Sequence, residues 1–274
     1  MTITDRVAIG SSAQASAGVY SPSIPTIMWM TRRNLVRVVR LPSILVPMAI
    51  LPLFFVIAFT GSFDGISHVS GYPTEKVINW VAAFAILEGS SFAGMGAAGA
   101  VATDLDNGFI DRLLLSPIRR STILLAPLLY SAIRALVPIT LVLIAAALSD
   151  ASMPGGVLGV LLAYLGGVGG GVVIGAFGLA VVLRMDDIRA MSVVQTLSFM
   201  VMFPSIGQVP LVLLSGWMHF VARINPVTNI LRMSRQGFLG PVTWADTWPG
   251  LLALSIGTLV FGAWAAYELE RRNP

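Results

Sequence analysis

The chain has no cysteine and very little charge. Of its 274 residues only 11% are Asp, Glu, Lys or Arg, whereas 56% are hydrophobic. The absence of cysteine excludes disulfide bonds, thiolate metal sites and a cysteine nucleophile. The two histidines, His68 and His219, lie far apart and give no reason to expect a metal site. So little charge in so apolar a chain is typical of an integral membrane protein.

Signals for nucleic-acid binding and for catalysis are also missing. The net charge is +4, but the basic residues lie in short segments between apolar runs, where membrane orientation explains them. The glycine-rich stretch at 165–178 lacks the Lys-Ser/Thr ending of a phosphate-binding loop and instead predicts close helix packing. We therefore expect no nucleic-acid partner, no catalytic residue, and no metal or cofactor bound by this chain.

Six apolar segments are long enough to cross a bilayer, whose core of about 30 Å needs about 20 helical residues. They lie at 41–60, 77–102, 123–148, 157–183, 190–214 and 249–267. An even number of spans puts both termini on one side, and most of the basic residues then fall on that side, which the positive-inside rule makes cytoplasmic. The sequence predicts an all-α integral membrane fold, with 1–25 as a flexible cytoplasmic tail and 26–274 as one transmembrane domain.

Two segments outside the spans have the pattern of amphipathic helices. Residues 26–40 place their arginines on one face, which predicts an interfacial helix before span one; a simple basic anchor is an equal alternative. Residues 216–240 are too polar to cross and too apolar for a solvated loop. Asn225 as N-cap and Pro226 at the first helical position predict two short re-entrant helices in the outer leaflet. One unbroken surface helix is the alternative.

Two ionisable residues lie deep inside the predicted spans. Glu88 in span two and Arg134 in span three stand about 20 Å and about 16 Å from the cytoplasmic ends, at about 1.5 Å per residue. Charges at such depth usually face a partner or a cavity. We therefore expect Glu88 and Arg134 to form an intramembrane pair, more simply structural than functional.

A charged stretch at 104–121, DLDNGFIDRLLLSPIRRS, interrupts the apolar chain between spans two and three. Its apolar residues recur at helical spacing, Asp104 and Asp106 suit a helix N-terminus, and Ser116-Pro117 ends the helix. The pattern predicts an amphipathic surface helix at 104–116. Such a helix offers a charged face and a hydrophobic face together, as a docking surface needs.

This region resembles the signature of ABC transporter permeases of the type-2 exporter class, in particular the daunorubicin-resistance-like branch of drug or lipid exporters. That branch marks its coupling helix with an acidic residue, a Gly, Asp-Arg-Leu, and a Pro followed by Arg-Ser. The matching residues are Asp104, Gly108, Asp111, Arg112, Leu113, Pro117, Arg120 and Ser121. The branch's second stretch, Asn-Pro followed by a basic residue, is similar to Asn225, Pro226 and Arg235.

The resemblance implies a permease subunit without ATPase chemistry, and the chain indeed has no Walker motif. It implies a separate ABC ATPase subunit that binds ATP and Mg, a second permease subunit in a homodimer or heterodimer, and a bacterial plasma membrane. The expected function is outward export of an amphipathic drug, antibiotic or lipid-like substrate. The alternative is an ion-coupled secondary transporter that uses Glu88 and Arg134.

Overall fold

The computed structural model describes residues 24–272, except for the side chains of residues 42–45 and 47. The predicted tail at 1–25 therefore lies outside the described residues, apart from its last two positions. The described residues form helices and no strand. In chain order the helices are α1 (Ile24–Val39), α2 (Pro42–Ser62), α3 (Val77–Asp106), α4 (Phe109–Leu114), α5 (Arg120–Leu148), α6 (Gly156–Met185), α7 (Ala190–Met202), α8 (Gly216–Ile224), α9 (Pro226–Leu239) and α10 (Trp244–Arg271).

Among the described residues, four helices are long and apolar enough to cross a membrane, namely α3, α5, α6 and α10. Predicted span one corresponds to α2, whereas predicted span five is helical only along α7, which ends at Met202. The thirteen residues of α7 rise about 20 Å, less than the bilayer core. Pro204 explains this difference from the prediction, because a proline has no backbone N–H and so cannot continue the helical hydrogen bonds after Phe203.

The central helix of the bundle is α3, and almost all of its apolar length is buried. It contacts α2, α5, α6, α7 and α9. Small residues make this possible: a Cβ added at Gly94 would overlap the carbonyl oxygen of Gly171 and lie 2.7 Å from the backbone nitrogen of Gly175. The backbones of α3 and α6 thus touch directly, which confirms that the glycine-rich stretch serves helix packing.

The outward faces of the long helices carry large apolar side chains. Ile57 of α2, Leu161 of α6 and Leu259 of α10 are each more than half exposed. Continuous apolar surface of this kind is stable against lipid and unfavourable against water. The described fold therefore has the exterior of a membrane protein.

The predicted break at Asn225 and Pro226 is present. The Asn225 side chain accepts a hydrogen bond from the backbone nitrogen of Val227 at 2.9 Å, and so caps α9, which starts at Pro226. The same side chain donates to the carbonyl oxygens of Val201 at 2.6 Å and Pro204 at 3.2 Å. One asparagine therefore starts α9 and satisfies the open end of α7.

The N-terminal helix α1 packs on the side of the bundle. Its buried face consists of Met30, Thr31, Asn34 and Val38. The Thr31 hydroxyl donates to the carbonyl oxygen of Ala126 in α5 at 3.1 Å. Segment 26–40 is therefore a helix fixed to α5, which is more than a basic anchor flanking a span.

Candidate functional site

The charged stretch at 104–121 is divided among three helices. Helix α3 continues to Asp106, Gly108 has a φ of 62°, and α4 is limited to Phe109–Leu114. The single predicted helix at 104–116 is thus wrong in extent, and Asp104 and Asp106 end α3 instead of beginning the predicted surface helix. The left-handed conformation favours glycine at 108 and turns the chain between α3 and α4.

One face of α4 is anchored in the core of the protein. Ile110 is 1% exposed and belongs to a hydrophobic cluster against which Leu113 and Leu114 also pack. The opposite face is exposed and carries Asp111 and Arg112, followed by the exposed Leu115 and Pro117. Helix α4 therefore packs on the protein through its apolar face and exposes its charged face.

Arg33 connects α1 to the end of α3 and to α4. Arg33 of α1 pairs with Asp104 at the end of α3, and its guanidinium lies 4.2 Å from the ring centroid of Phe109 in α4. Asp104 is only 8% exposed, so the pair is largely shielded from water. Arg33 was absent from the predicted site, since residues this far apart in the chain give no local signal of their contact.

A second set of contacts ties α4 and α5 to the end of α10. Arg272, directly after α10, pairs with Asp186 at the end of α6 and approaches Asp111 of α4 at 3.9 Å. Arg120 donates to the carbonyl oxygens of Leu269 at 3.3 Å and Glu270 at 2.9 Å. Arg120 thereby caps the C-terminus of α10, where a basic side chain is favoured.

The predicted pair of Glu88 and Arg134 does not form. The two carboxylate oxygens of Glu88 are buried and have no hydrogen-bond partner among the described residues. Arg134 instead donates to the sulfur of Met48 at 2.9 Å and to the Tyr130 hydroxyl at 3.2 Å. It lies against Gly96, where an added Cβ would overlap its guanidinium, and Gly96 is about 12 Å along α3 from Glu88 at about 1.5 Å per residue.

The direction of the two side chains explains why Glu88 and Arg134 do not pair. The Cα–Cβ bonds of a helix tilt toward its N-terminus, and α3 and α5 run in opposite directions from their shared connection at α4. Glu88 therefore leans away from the α4 end of the bundle, while Arg134 leans toward it. Counting residues places the two Cα atoms at similar heights but misses the opposite tilt.

The family described as "ABC-2 family transporter protein" matches residues 62–267, which is most of the chain. The chain belongs to the ABC-2 transporter family. A search among curated proteins finds no significant match. As an ABC-2 permease the chain is a multi-pass membrane protein and part of an ATP-driven transporter, and such permeases generally pair with an ATPase subunit. This family replaces the alternative of an ion-coupled secondary transporter.

At the opposite end of the ABC-2 permease, Arg235 of α9 is 1% exposed. Its guanidinium donates to the carbonyl oxygens of Trp80 at 2.7 Å, Ile206 at 2.8 Å and Gly207 at 2.9 Å. It also stacks on the Trp80 ring at 3.7 Å. Carbonyl dipoles thus compensate its buried charge, and Arg235 joins α9, the start of α3 and the segment after α7.

Proposed function

We propose that this ABC-2 permease is the membrane subunit of an exporter of the daunorubicin-resistance-like branch. It moves an amphipathic drug, antibiotic or lipid-like substrate outward across a bacterial plasma membrane. A separate ATPase subunit binds ATP and Mg and supplies the energy, and a second permease subunit, identical or related, completes the transporter. The observation that carries this proposal is α4, whose charged face is exposed while its apolar face is locked into the bundle.

In this proposal the end of the bundle that carries α4, and with it both termini, faces the cytoplasm. The exposed Asp111 and Arg112 then contact the ATPase, while Leu113 and Arg120 hold the surface in place from behind. The partly buried position of Leu113 supports this division, as do the bonds of Arg120 to α10. Pro117, exposed beyond α4, lies at the edge of the contact.

Helix α3 is the element best suited to transmit movement. Its 30 residues extend about 45 Å. Asp104 at one end pairs with Arg33, and Trp80 at the other end accepts a hydrogen bond from Arg235. A push of the ATPase on α4 therefore reaches the segment around Asn225, Pro226 and Arg235, which we propose as the outer gate. Rigid-body shifts of packed helices are a common form of such transitions.

The experiment reverses one exposed charge at each end of the molecule. The tagged chain is purified from its native membrane with its ATPase subunit, as wild type, Arg112→Glu and Arg223→Glu. Both arginines are exposed, and Arg223 lies in α8 at the far end. We expect Arg112→Glu to reduce the copurified ATP hydrolysis about tenfold, since replacing one attractive charge contact by repulsion costs about 1.4 kcal/mol or more.

The control Arg223→Glu should leave copurification of the ATPase unchanged. Equal loss in the two variants, or loss in Arg223→Glu alone, would contradict the assignment of α4 as the docking surface. Transport that continues without any ATPase and follows a proton gradient would contradict the proposed function as a whole.

A further inference from the structure

A cavity of about 320 Å³ lies between α1, α3, α5 and α7, in the half of the bundle that carries α4. Its walls combine apolar and polar side chains with two arginines, and no acidic residue among those that the structure describes lines it. The lining includes Asn34, Arg37, Phe92, Tyr130, Arg134 and Gln195. The cavity is therefore a cationic pocket with apolar walls.

The buried charge in this cavity is incompletely compensated. Arg134 is 5% exposed, and its guanidinium, with five N–H donors, has as hydrogen-bond acceptors only the Met48 thioether and the Tyr130 hydroxyl among the described residues. A thioether is a weak acceptor, and both groups are neutral. Arg235 in the same chain has three carbonyl oxygens and a tryptophan ring around it. Arg134 thus retains donors and charge for a further partner.

A second cation reinforces the first. Arg37 of α1, whose side chain is exposed, also lines the cavity. In the part of the chain that the structure describes, neither Arg37 nor Arg134 forms an ion pair. Two unpaired guanidinium groups at one cavity favour an anion, above all a phosphate or a carboxylate.

We propose that this cavity binds the anionic headgroup, a phosphate or carboxylate, of an amphipathic molecule, and that such anionic amphiphiles are the substrate class of the transporter. The second half of this statement rests on the proposed function. The volume suits a headgroup and the first carbons of an acyl chain, and Val38, Met95 and Met191 provide apolar walls for those carbons. Cation and apolar wall together distinguish an anionic amphiphile from a cationic drug.

The pocket is also connected to the proposed coupling surface. Asn34, which lines the cavity, accepts a hydrogen bond from Arg33 at 3.2 Å, and Arg33 pairs with Asp104. Thr103, next to Asp104 in α3, also lines the cavity. An anion bound by Arg37 and Arg134 therefore lies close to Asn34 and Thr103, which are next to the two members of the ion pair between Arg33 and Asp104.

The test measures binding by the full-length chain in an uncharged detergent, without the ATPase. The probes are dioctanoyl phosphatidylglycerol, which is anionic, dioctanoyl phosphatidylcholine, which has the same chains and no net charge, and inorganic phosphate. We expect phosphatidylglycerol to bind about tenfold more tightly than phosphatidylcholine, because both lipids carry the phosphate but the two arginines repel the quaternary ammonium of choline. Inorganic phosphate should bind more weakly than phosphatidylglycerol because it gains nothing from the apolar walls.

Matched variants locate the binding. Arg37→Gln should weaken phosphatidylglycerol binding about tenfold, whereas Arg32→Gln removes an exposed arginine of α1 that does not line the cavity and should leave binding unchanged. Arg134→Gln should also weaken binding; its thermal unfolding is recorded because Arg134 is buried, and Arg37→Gln decides the question if Arg134→Gln unfolds.

Three outcomes would overturn the inference. Equal affinity for the two lipids removes the anion preference, and equal loss in Arg37→Gln and Arg32→Gln removes the cavity as the site. If inorganic phosphate binds as tightly as phosphatidylglycerol, the ligand is a soluble anion and the proposed preference for an amphiphile is wrong. Because no ATPase is present, these results are independent of the α4 experiment: anion binding at the cavity can fail while the proposed function stands, and it can hold while the proposed function fails.

Discussion

The ion pair between Arg33 and Asp104 allows a quantitative test of how α1 is held to the end of α3. We consider Arg33→Ala, Asp104→Ala and the double variant. Breaking a fully buried pair costs about 3–5 kcal/mol, whereas an exposed pair contributes about 0–1 kcal/mol. The side chain of Asp104 is 11% exposed and that of Arg33 is 27% exposed. We therefore expect Asp104→Ala to lower the free energy of unfolding by about 2 kcal/mol, a value between these limits.

Arg33→Ala also removes the stacking on Phe109, which adds about 0.5–1 kcal/mol. The double variant should cost no more than Arg33→Ala alone, because both substitutions remove the same pair. The coupling energy of the cycle is then about 2 kcal/mol.

The assay is thermal unfolding of the purified full-length chain in detergent, where about 2 kcal/mol corresponds to a decrease in Tm of roughly 4–8 °C. The control is Lys76→Ala, which breaks the pair of Lys76 with Asp150, whose side chain is 96% exposed; no measurable shift is expected. If the effects of Arg33→Ala and Asp104→Ala add in the double variant, the residues act independently and the reasoning is refuted.

Other predictions concern the remaining buried polar residues and one glycine. Arg235→Lys should lower Tm clearly more than the control Arg232→Lys at an exposed position, because one ammonium group cannot replace the guanidinium contacts to three carbonyl oxygens. Equal shifts in Tm would show that these contacts are unimportant. Glu88→Gln should leave Tm unchanged or raise it, since the carboxylate has no partner among the described residues, and a large decrease would point to a contact that the structure lacks. Gly94→Ala should lower Tm or abolish folding, whereas Gly262→Ala, where a Cβ meets nothing within 4 Å, should not; similar behaviour of the two would argue against direct backbone contact of α3 and α6.

Some features of the fold could be predicted from the local sequence pattern. The break between α8 and α9 is predictable because Asn225 and Pro226 act on the backbone within one turn. The glycine spacing of α6 likewise predicts close packing without knowledge of its neighbour. Helix ends that depend on distant contacts are harder to predict. The end of α7 does have a local signal, Pro204, but the apolar composition of 203–214 led to the prediction of a longer helix.

Contacts between charged side chains could not be predicted in this way. Asp104 reads as the start of a coupling helix, yet it ends α3 because Gly108 adopts a left-handed conformation. Glu88 and Arg134 have similar heights in the membrane, yet opposite helix directions tilt their side chains apart. The first error comes from a turn of the backbone and the second from the tilt of the side chains, and a residue count contains neither.

The sequence by itself thus determined the chemical class of the chain: an apolar, charge-poor membrane protein with a charged insertion between two spans, because composition and periodicity act locally and do not depend on the fold. The tertiary structure alone decided which charges meet. Arg33 pairs with Asp104, Arg272 pairs with Asp186, Arg235 donates to backbone carbonyl oxygens, and Arg134 lines a cavity. Partners of this kind are separated along the chain and depend on the packing of several helices at once, so that only their three-dimensional arrangement brings them together.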